Sequence, residues 1–326
     1  MATRDLSEQY IHELFEVQVR KAPDAVAVVY EDARLSYGHL NARANQLAHH
    51  LIALGVRPDQ PVAICLERSL AMMVGLLAIL KAGGACLPLD LTHPSGRLRQ
   101  VLAGAAPRLL LADAAGRSTL GSDALVDVTV VDLETTRPSW ANLLASDPDP
   151  RTLGLTSRHL AYVSYTSRTS GTPKGVEMPH STLLNLLWSS PELGAPKRRT
   201  LQLTTLNIDV SFQELFSCWK EGGVLAIVRE TILTDFTVLL ELLWTEEIER
   251  LFLPFGALNH FAEAWGAQGV LLPSLREIYT AREQLRTTPM LRSFFEVHPR
   301  VRLINEYGAA ETHMITEHRL AADPLR

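Results

Sequence analysis

Tyr162-Val163-Ser164-Tyr165-Thr166-Ser167-Arg168-Thr169-Ser170-Gly171-Thr172-Pro173-Lys174-Gly175-Val176 sets an apolar run directly against a loop of hydroxyls, glycines and one lysine. Hydroxyl and backbone N–H groups donate to phosphate oxygens, glycine permits close approach, and an ammonium supplies charge. The stretch therefore reads as a strand feeding a polyphosphate-binding loop. A polar turn between a strand and a helix is the plainer alternative, and it would serve for a generic Ser/Thr/Gly loop. The common P-loop of nucleotide hydrolases is a poor match, because it requires Ser or Thr directly after its lysine, where Gly175 stands.

Outward from this loop, strand-like runs alternate with helical patterns along most of the chain. Residues 25–29, 61–65, 108–111 and 125–131 read as strands, with helices over 37–54, 70–82 and 97–103. After the loop come helices at 181–187, 211–219, 236–244, 257–265 and 289–297, alternating with strands at 201–204, 224–228, 251–253, 276–279 and 301–305. Strands separated by helices of this length imply βαβ units and mainly parallel sheets. Residues 134–157, rich in Asp, Pro, Ser and Thr, read as a surface linker. The expected organisation is thus one α/β subdomain over 1–133, the linker, and a second over 158–326 that carries the phosphate loop and substrate pocket.

Composition narrows the class. Hydrophobic residues make up 47% and charged residues 21%, an ordinary globular balance, and a net charge of -5 gives no footprint for nucleic acid or an anionic membrane. Cys65, Cys86 and Cys218 lie apart in apolar runs and read as buried free thiols. The charged start lacks an apolar signal core and no run is long enough to span a bilayer, so a cytoplasmic chain is expected.

Four further segments decide the family. Leu35-Ser36-Tyr37-Gly38-His39-Leu40 is similar to an L-[ST]-Y-x-E-L motif, and Leu80-Lys81-Ala82-Gly83-Gly84-Ala85-Cys86-Leu87-Pro88-Leu89-Asp90 to L-K-A-G-x-A-Y-V-P-I-D. Asn207-Ile208-Asp209-Val210-Ser211-Phe212-Gln213-Glu214 resembles the F-D-x-S motif, and Asn305-Glu306-Tyr307-Gly308-Ala309-Ala310-Glu311 resembles N-x-Y-G-P-T-E. With the phosphate loop they occur in the order found in adenylate-forming enzymes and span nearly the whole chain. The chain resembles the amino-terminal part of an amino-acid adenylation domain of a non-ribosomal peptide synthetase.

That resemblance implies the large amino-terminal domain of the adenylate-forming α/β fold: two mainly parallel sheets flanked by helices in layers, without the carboxy-terminal small domain. It implies ATP and Mg²⁺ as cofactors, an amino-acid substrate, and as partners a carrier-protein domain with a phosphopantetheine arm and neighbouring synthetase domains. Thr166, Ser167, Thr169, Ser170, Gly171 and Lys174 would hold phosphates, with Lys174 and Glu311 catalytic. Asn305, Glu306 and Tyr307 would line the adenine and ribose, where an aromatic face suits a flat base. Glu311, with Thr166, would hold Mg²⁺, which prefers carboxylate and phosphate oxygens.

Asp209 would pair with the substrate α-ammonium, which needs a charged partner on leaving water. Read without the family, Asp209 is a helix N-cap, a role Ser211 could equally fill. The side-chain pocket would comprise Val210, Gln213, Gly256, Tyr279, Ala281, Glu306, Met314 and Ile315. Gln213 and Glu306 point to a polar or cationic substrate side chain, while the Asp-Val-x-x-Gln opening is also similar to some proline-activating pockets.

Some positions depart from the pattern: Arg168 and Arg282 replace glycines, Ala310 replaces a hydroxyl residue, Ala309 a proline and Ile208 a phenylalanine. The family's later T-G-D and N-G-K motifs do not occur before Arg326. The chain therefore reads as a truncated adenylation domain, weak or inactive alone. Two alternatives stand beside this: a non-catalytic remnant of the fold, and an acyl- or aryl-CoA ligase, which Asp209 disfavours.

Overall fold

The computed structural model describes residues 9–136, 138–166, 173–189, 197–281 and 285–320. The first elements are α1 (Ile11–Lys21), β1 (Val26–Tyr30), β2 (Ala33–Ser36), α2 (Tyr37–Ala53), β3 (Pro61–Cys65), α3 (Leu70–Lys81), β4 (Ala85–Pro88), α4 (Ser95–Ala105), β5 (Leu109–Ala112), α5 (Ala114–Leu120) and β6 (Thr129–Asp132). Beyond residues 134–157 follow β7 (Leu160–Thr166), β8 (Lys174–Pro179), α6 (His180–Ser189), β9 (Arg199–Gln202), α7 (Val210–Lys220), β10 (Val224–Ile227) and α8 (Phe236–Thr245). The series closes with β11 (Arg250–Phe252), α9 (Phe255–Gln268), β12 (Glu277–Ala281), α10 (Pro289–Val297), β13 (Arg302–Ala309) and β14 (His313–Leu320).

The strands form an eight-stranded sheet, β14-β13-β12-β11-β9-β10-β1-β2, and a six-stranded sheet, β6-β5-β3-β4-β7-β8. Pairing is parallel except for β1–β2, β7–β8 and β13–β14. The layered, mainly parallel α/β arrangement is the one expected. The sheets do not divide at residues 134–157, however: β1 and β2 lie beside β10 in the larger sheet, and β7 and β8 complete the smaller one. The two subdomains expected from sequence therefore exchange strands across that segment. Nor is the segment a bare linker, since Asp147 accepts hydrogen bonds from Asn41 (2.8 Å), Asn45 (2.9 Å) and Lys81 (2.9 Å).

Period-two alternation divides the core. Val62 and Ile64 face a central cluster with α1, α2, α3, α6 and α7, while Ala63 and Cys65 face an outer cluster with α4. A further cluster covers the outer face of the larger sheet with α8, α9 and α10. The order is helix, sheet, helix, sheet, helix. Helix α3 is apolar all round because it lies in the middle layer, and Ser69 caps it by accepting from the Met72 N–H at 3.2 Å. Leu76, Leu77, Ile79 and Leu80 are fully buried there, each contributing about 1.5–3 kcal/mol. All three cysteines are buried free thiols, as the sequence indicates. No helix among the described residues is long and apolar enough to cross a membrane.

Candidate functional site

The quoted stretch folds as a hairpin rather than as a strand-to-helix turn. β7 ends at Thr166, which pairs with Lys174 at the start of antiparallel β8. Lys174 is exposed at the mouth of that hairpin. Ser167, Thr169, Ser170 and Gly171, like Arg168, lie outside the described residues. A Cβ at Gly175 would come within 3.1 Å of the Tyr165 ring, which would have to give way.

The hairpin is tied to α7 through Tyr162, whose ring stacks on Phe212 with centroids 3.9 Å apart. Asp209 heads α7 and is only 2% exposed. Its backbone is helical (φ -52°, ψ -37°), and its carboxylate accepts from the adjacent Val210 N–H at 2.9 Å. A conventional cap is extended and accepts from the second or third helical N–H. Here those N–H groups bond instead to the Ile208 and Asp209 carbonyls. Asp209 nonetheless holds the cap position of α7, whereas Ser211 lies inside the helix and its hydroxyl donates to the Ile208 carbonyl at 2.6 Å.

The sheet facing α7 supplies the rest. Phe252 pairs with Tyr279, Tyr279 with Ile304, Ala281 with Glu306, and Glu306 with Glu317, so these residues share one face across β11, β12, β13 and β14. Val210, Phe252, Tyr279 and Ile304 form a buried cluster against which Ile208 and Met314 pack. Gln213, one turn along α7 from Asp209 and Val210, donates to Glu306 Oε1 at 2.6 Å.

Sequence reasoning missed Phe252, which stacks on Tyr279 at 4.5 Å. Gly256, expected in the pocket, is exposed on the first turn of α9, with nothing within 4 Å of a Cβ built there. Ile315, also expected, is 62% exposed and stands outside the cluster. Leu251 and Leu253 join the outer cluster, and Phe252 faces the other way.

The strand period likewise separates the residues of β13. The side chains of Asn305 and Tyr307 lie on the face opposite that of Glu306, so the strand does not bring the three side chains together. Glu306 faces Gln213 of α7. Tyr307 is 67% exposed, as a ring that stacks on a base would need to be. Glu311 is an exposed carboxylate in the β13–β14 turn beside Ala310. No group of three or more His, Cys, Asp or Glu suited to a metal occurs among the described residues. One exposed carboxylate is a donor set that fits Mg²⁺ held mainly by nucleotide phosphates.

The turn is fixed to the pocket by His313, a residue the motif reading passed over. Its Nδ1 accepts from the Met314 N–H at 3.0 Å, so Nε2 carries the proton and donates to the Asp209 carbonyl at 3.1 Å. His313 adopts φ 57°, a left-handed conformation that disfavours side chains. Gly308 is obligatory opposite it, because a Cβ would lie 1.8 Å from the His313 carbonyl oxygen.

Two buried carboxylates titrate unusually. Burial pushes Glu306 up to about 8, against the hydrogen bond from Gln213 and reinforced by the charges of Glu317 and Asp209. Burial also pushes Glu214 to about 8, although it accepts from the Leu203 and Thr204 N–H groups and so holds the loop ahead of Asp209. That loop, through Thr204 and Asn207, forms one wall of a cavity of about 410 Å³ at the carboxyl ends of β3, β4, β9 and β10. Ligands of open α/β sheets bind in such a crevice. Asp209, Val210, Gln213 and Glu306 do not line it; they lie on the other side of the loop.

Comparison with known proteins agrees with this geometry. Residues 15–325 match the profile of the family described as AMP-binding enzyme. Malpinin synthetase of Mortierella alpina is 41% identical over 311 residues, covering 94% of this chain and 4% of its own length. Gramicidin S synthase 2 of Brevibacillus brevis is 35% identical over 315 residues, covering 96% of this chain and 7% of its own. A crystal structure of the non-ribosomal peptide synthetase FmoA3 bound to α-methyl-L-serine-AMP superimposes with a TM-score of 0.85 at 25% identity, over 99% of this chain and 36% of that one.

Proposed function

Because this chain belongs to the family of AMP-binding enzymes, we propose that it activates an α-amino acid with ATP for non-ribosomal peptide synthesis. The substrate carboxylate attacks the α-phosphorus of ATP. A carboxyl–phosphoryl bond forms, the α–β phosphoanhydride bond breaks, and pyrophosphate leaves an aminoacyl-AMP. The observation that carries this reading is a buried carboxylate, Asp209, at the head of the helix on which the phosphate-loop strand stacks through Tyr162 and Phe212.

Asp209 would receive the α-ammonium and thereby orient the carboxylate toward the nucleotide. Lys174, Thr166, Ser167, Thr169, Ser170 and Gly171 would hold the phosphates, where fixed donors stabilise charge as it develops. Tyr307 offers its exposed ring to the adenine. Glu311 would hold Mg²⁺, which neutralises phosphate charge when bound. Carrier-protein and neighbouring synthetase domains are the partners this chemistry calls for. The chain spans well under a tenth of the curated relatives' length and about a third of the solved FmoA3 chain, so these partners belong to the proposal.

A non-catalytic remnant is the second reading, favoured by Ala310, which presents no hydroxyl in the β13–β14 turn. Calorimetry with stable sulfamoyl analogues of aminoacyl adenylates separates the two. Binding of at least one analogue, weakened at least about tenfold by Asp209→Ala, is expected. Binding of none, or equal binding of the des-amino analogues, overturns the activation reading.

A further inference from the structure

The face between α7 and β11–β14 holds two polar atoms with no hydrogen-bond partner among the described residues. Glu306 is 3% exposed and Gln213 5% exposed. Each spends one atom on the other in the 2.6 Å hydrogen bond from Gln213 Nε2 to Glu306 Oε1. Gln213 Oε1 and Glu306 Oε2 remain buried without a hydrogen-bond partner among the described residues. Gln213 Oε1 is an acceptor, and Glu306 Oε2 becomes one when the carboxyl gives up the proton it holds below about pH 8. A buried acceptor left unmade is unfavourable, so a site that keeps two side by side is complementary to a donor.

Charge decides which donor. The groups acting on Glu306 are Glu317 and Asp209, both carboxylates. Glu317 is answered by Arg319, whose Nε donates to it at 2.7 Å. No Lys, Arg or His among the described residues forms an ion pair with Glu306. Its upward shift reflects burial first and these like charges after it, so an arriving cation would lower it again and expel a proton. The apolar neighbours fit a long stem: Val210, Phe252, Tyr279 and Met314 would flank methylene groups on the way to the polar pair.

We propose that Glu306 and Gln213 together select an amino acid with a cationic side chain, whose ammonium or guanidinium donates to Glu306 Oε2 and Gln213 Oε1. This rests on the amino-acid-activation reading and names its substrate class. Asp209 takes the α-ammonium and Glu306 the side-chain cation. The two carboxylates divide the work.

Calorimetry on the whole chain tests this, with a non-hydrolysable ATP analogue present and L-lysine, L-arginine, L-norleucine, L-citrulline or L-proline as the probe. L-Lysine or L-arginine is expected to bind at least about tenfold more tightly than its uncharged counterpart, norleucine or citrulline. Binding near neutral pH should release a proton, seen as a dependence of the measured heat on buffer ionisation. Glu306→Gln keeps the shape and the hydrogen bond to Gln213, and should abolish both the preference and the proton release. Norleucine, citrulline or proline binding as tightly as the basic amino acids would overturn the cationic assignment while leaving amino-acid activation standing. Binding of no amino acid at all would overturn both readings.

Discussion

Glu306 ties recognition to stability, because a carboxylate that titrates at about 8 in the folded chain titrates near 4.5 once unfolded. The folded state then holds a proton over that interval that the unfolded state has given up. Its contribution to stability is fully present below about pH 4.5 and lost as pH rises through about 8. Glu214 acts in the same sense, whereas His12 and His180, whose burial lowers them, act oppositely near their ordinary value. The informative quantity is therefore a difference between variants. Urea midpoints between about pH 5 and pH 9 should show the wild type losing stability relative to Glu306→Gln as pH rises; a difference independent of pH would contradict the assigned environment. Asp209 allows a second separation. Asp209→Ala removes one backbone hydrogen bond, worth about 1 kcal/mol of stability, while on the proposed reading it also removes the partner of a buried ammonium, worth about 3–5 kcal/mol in substrate discrimination. Melting temperature and selectivity measured on the same variant read the two effects apart.

The β13–β14 hairpin carries Tyr307 and Glu311 outward and Glu306 inward, and its bulge sets which residue faces which way. Gly308→Ala would drive a methyl group into the His313 carbonyl, where only backbone can give way, so a loss of more than about 3 kcal/mol is expected by chemical denaturation. A loss under about 1 kcal/mol would show that the turn adapts. Much at this level was legible beforehand. The helix read over 70–82 meets α3 to within a residue, and the strand over 61–65 and the helix over 289–297 were read as the structure has them. Phe252 and His313 were not legible as site residues. Phe252 sits in an apolar run whose neighbours are ordinary core, and His313 acts through a left-handed backbone and a contact 104 residues away in sequence. Neither property leaves a local pattern.

The exchange of strands between the two sheets is long-range pairing, which hydrophobic periodicity does not encode, so dividing the chain at residues 134–157 misplaced β1, β2, β7 and β8. Arg68 bridges the sheets: it stands between β3 and α3, and donates to the Gln202 carbonyl (2.9 Å), the Leu203 carbonyl (2.6 Å) and Glu230 (2.6 Å). Arg68→Ala would strand buried carbonyls at the foot of the loop leading to Asp209. A loss of about 2–4 kcal/mol is expected in denaturant unfolding, together with weaker amino-acid binding. Lost stability with unchanged binding would show that the two sheets hold the loop independently.

Amino-acid-dependent exchange of pyrophosphate into ATP, measured on the protein that carries this chain, tests amino-acid activation most directly. Exchange should require an α-amino acid, fall at least about a hundredfold in Asp209→Ala, and be lost in Lys174→Ala. Exchange driven equally well by the corresponding des-amino acids, or unchanged in Asp209→Ala, would contradict it.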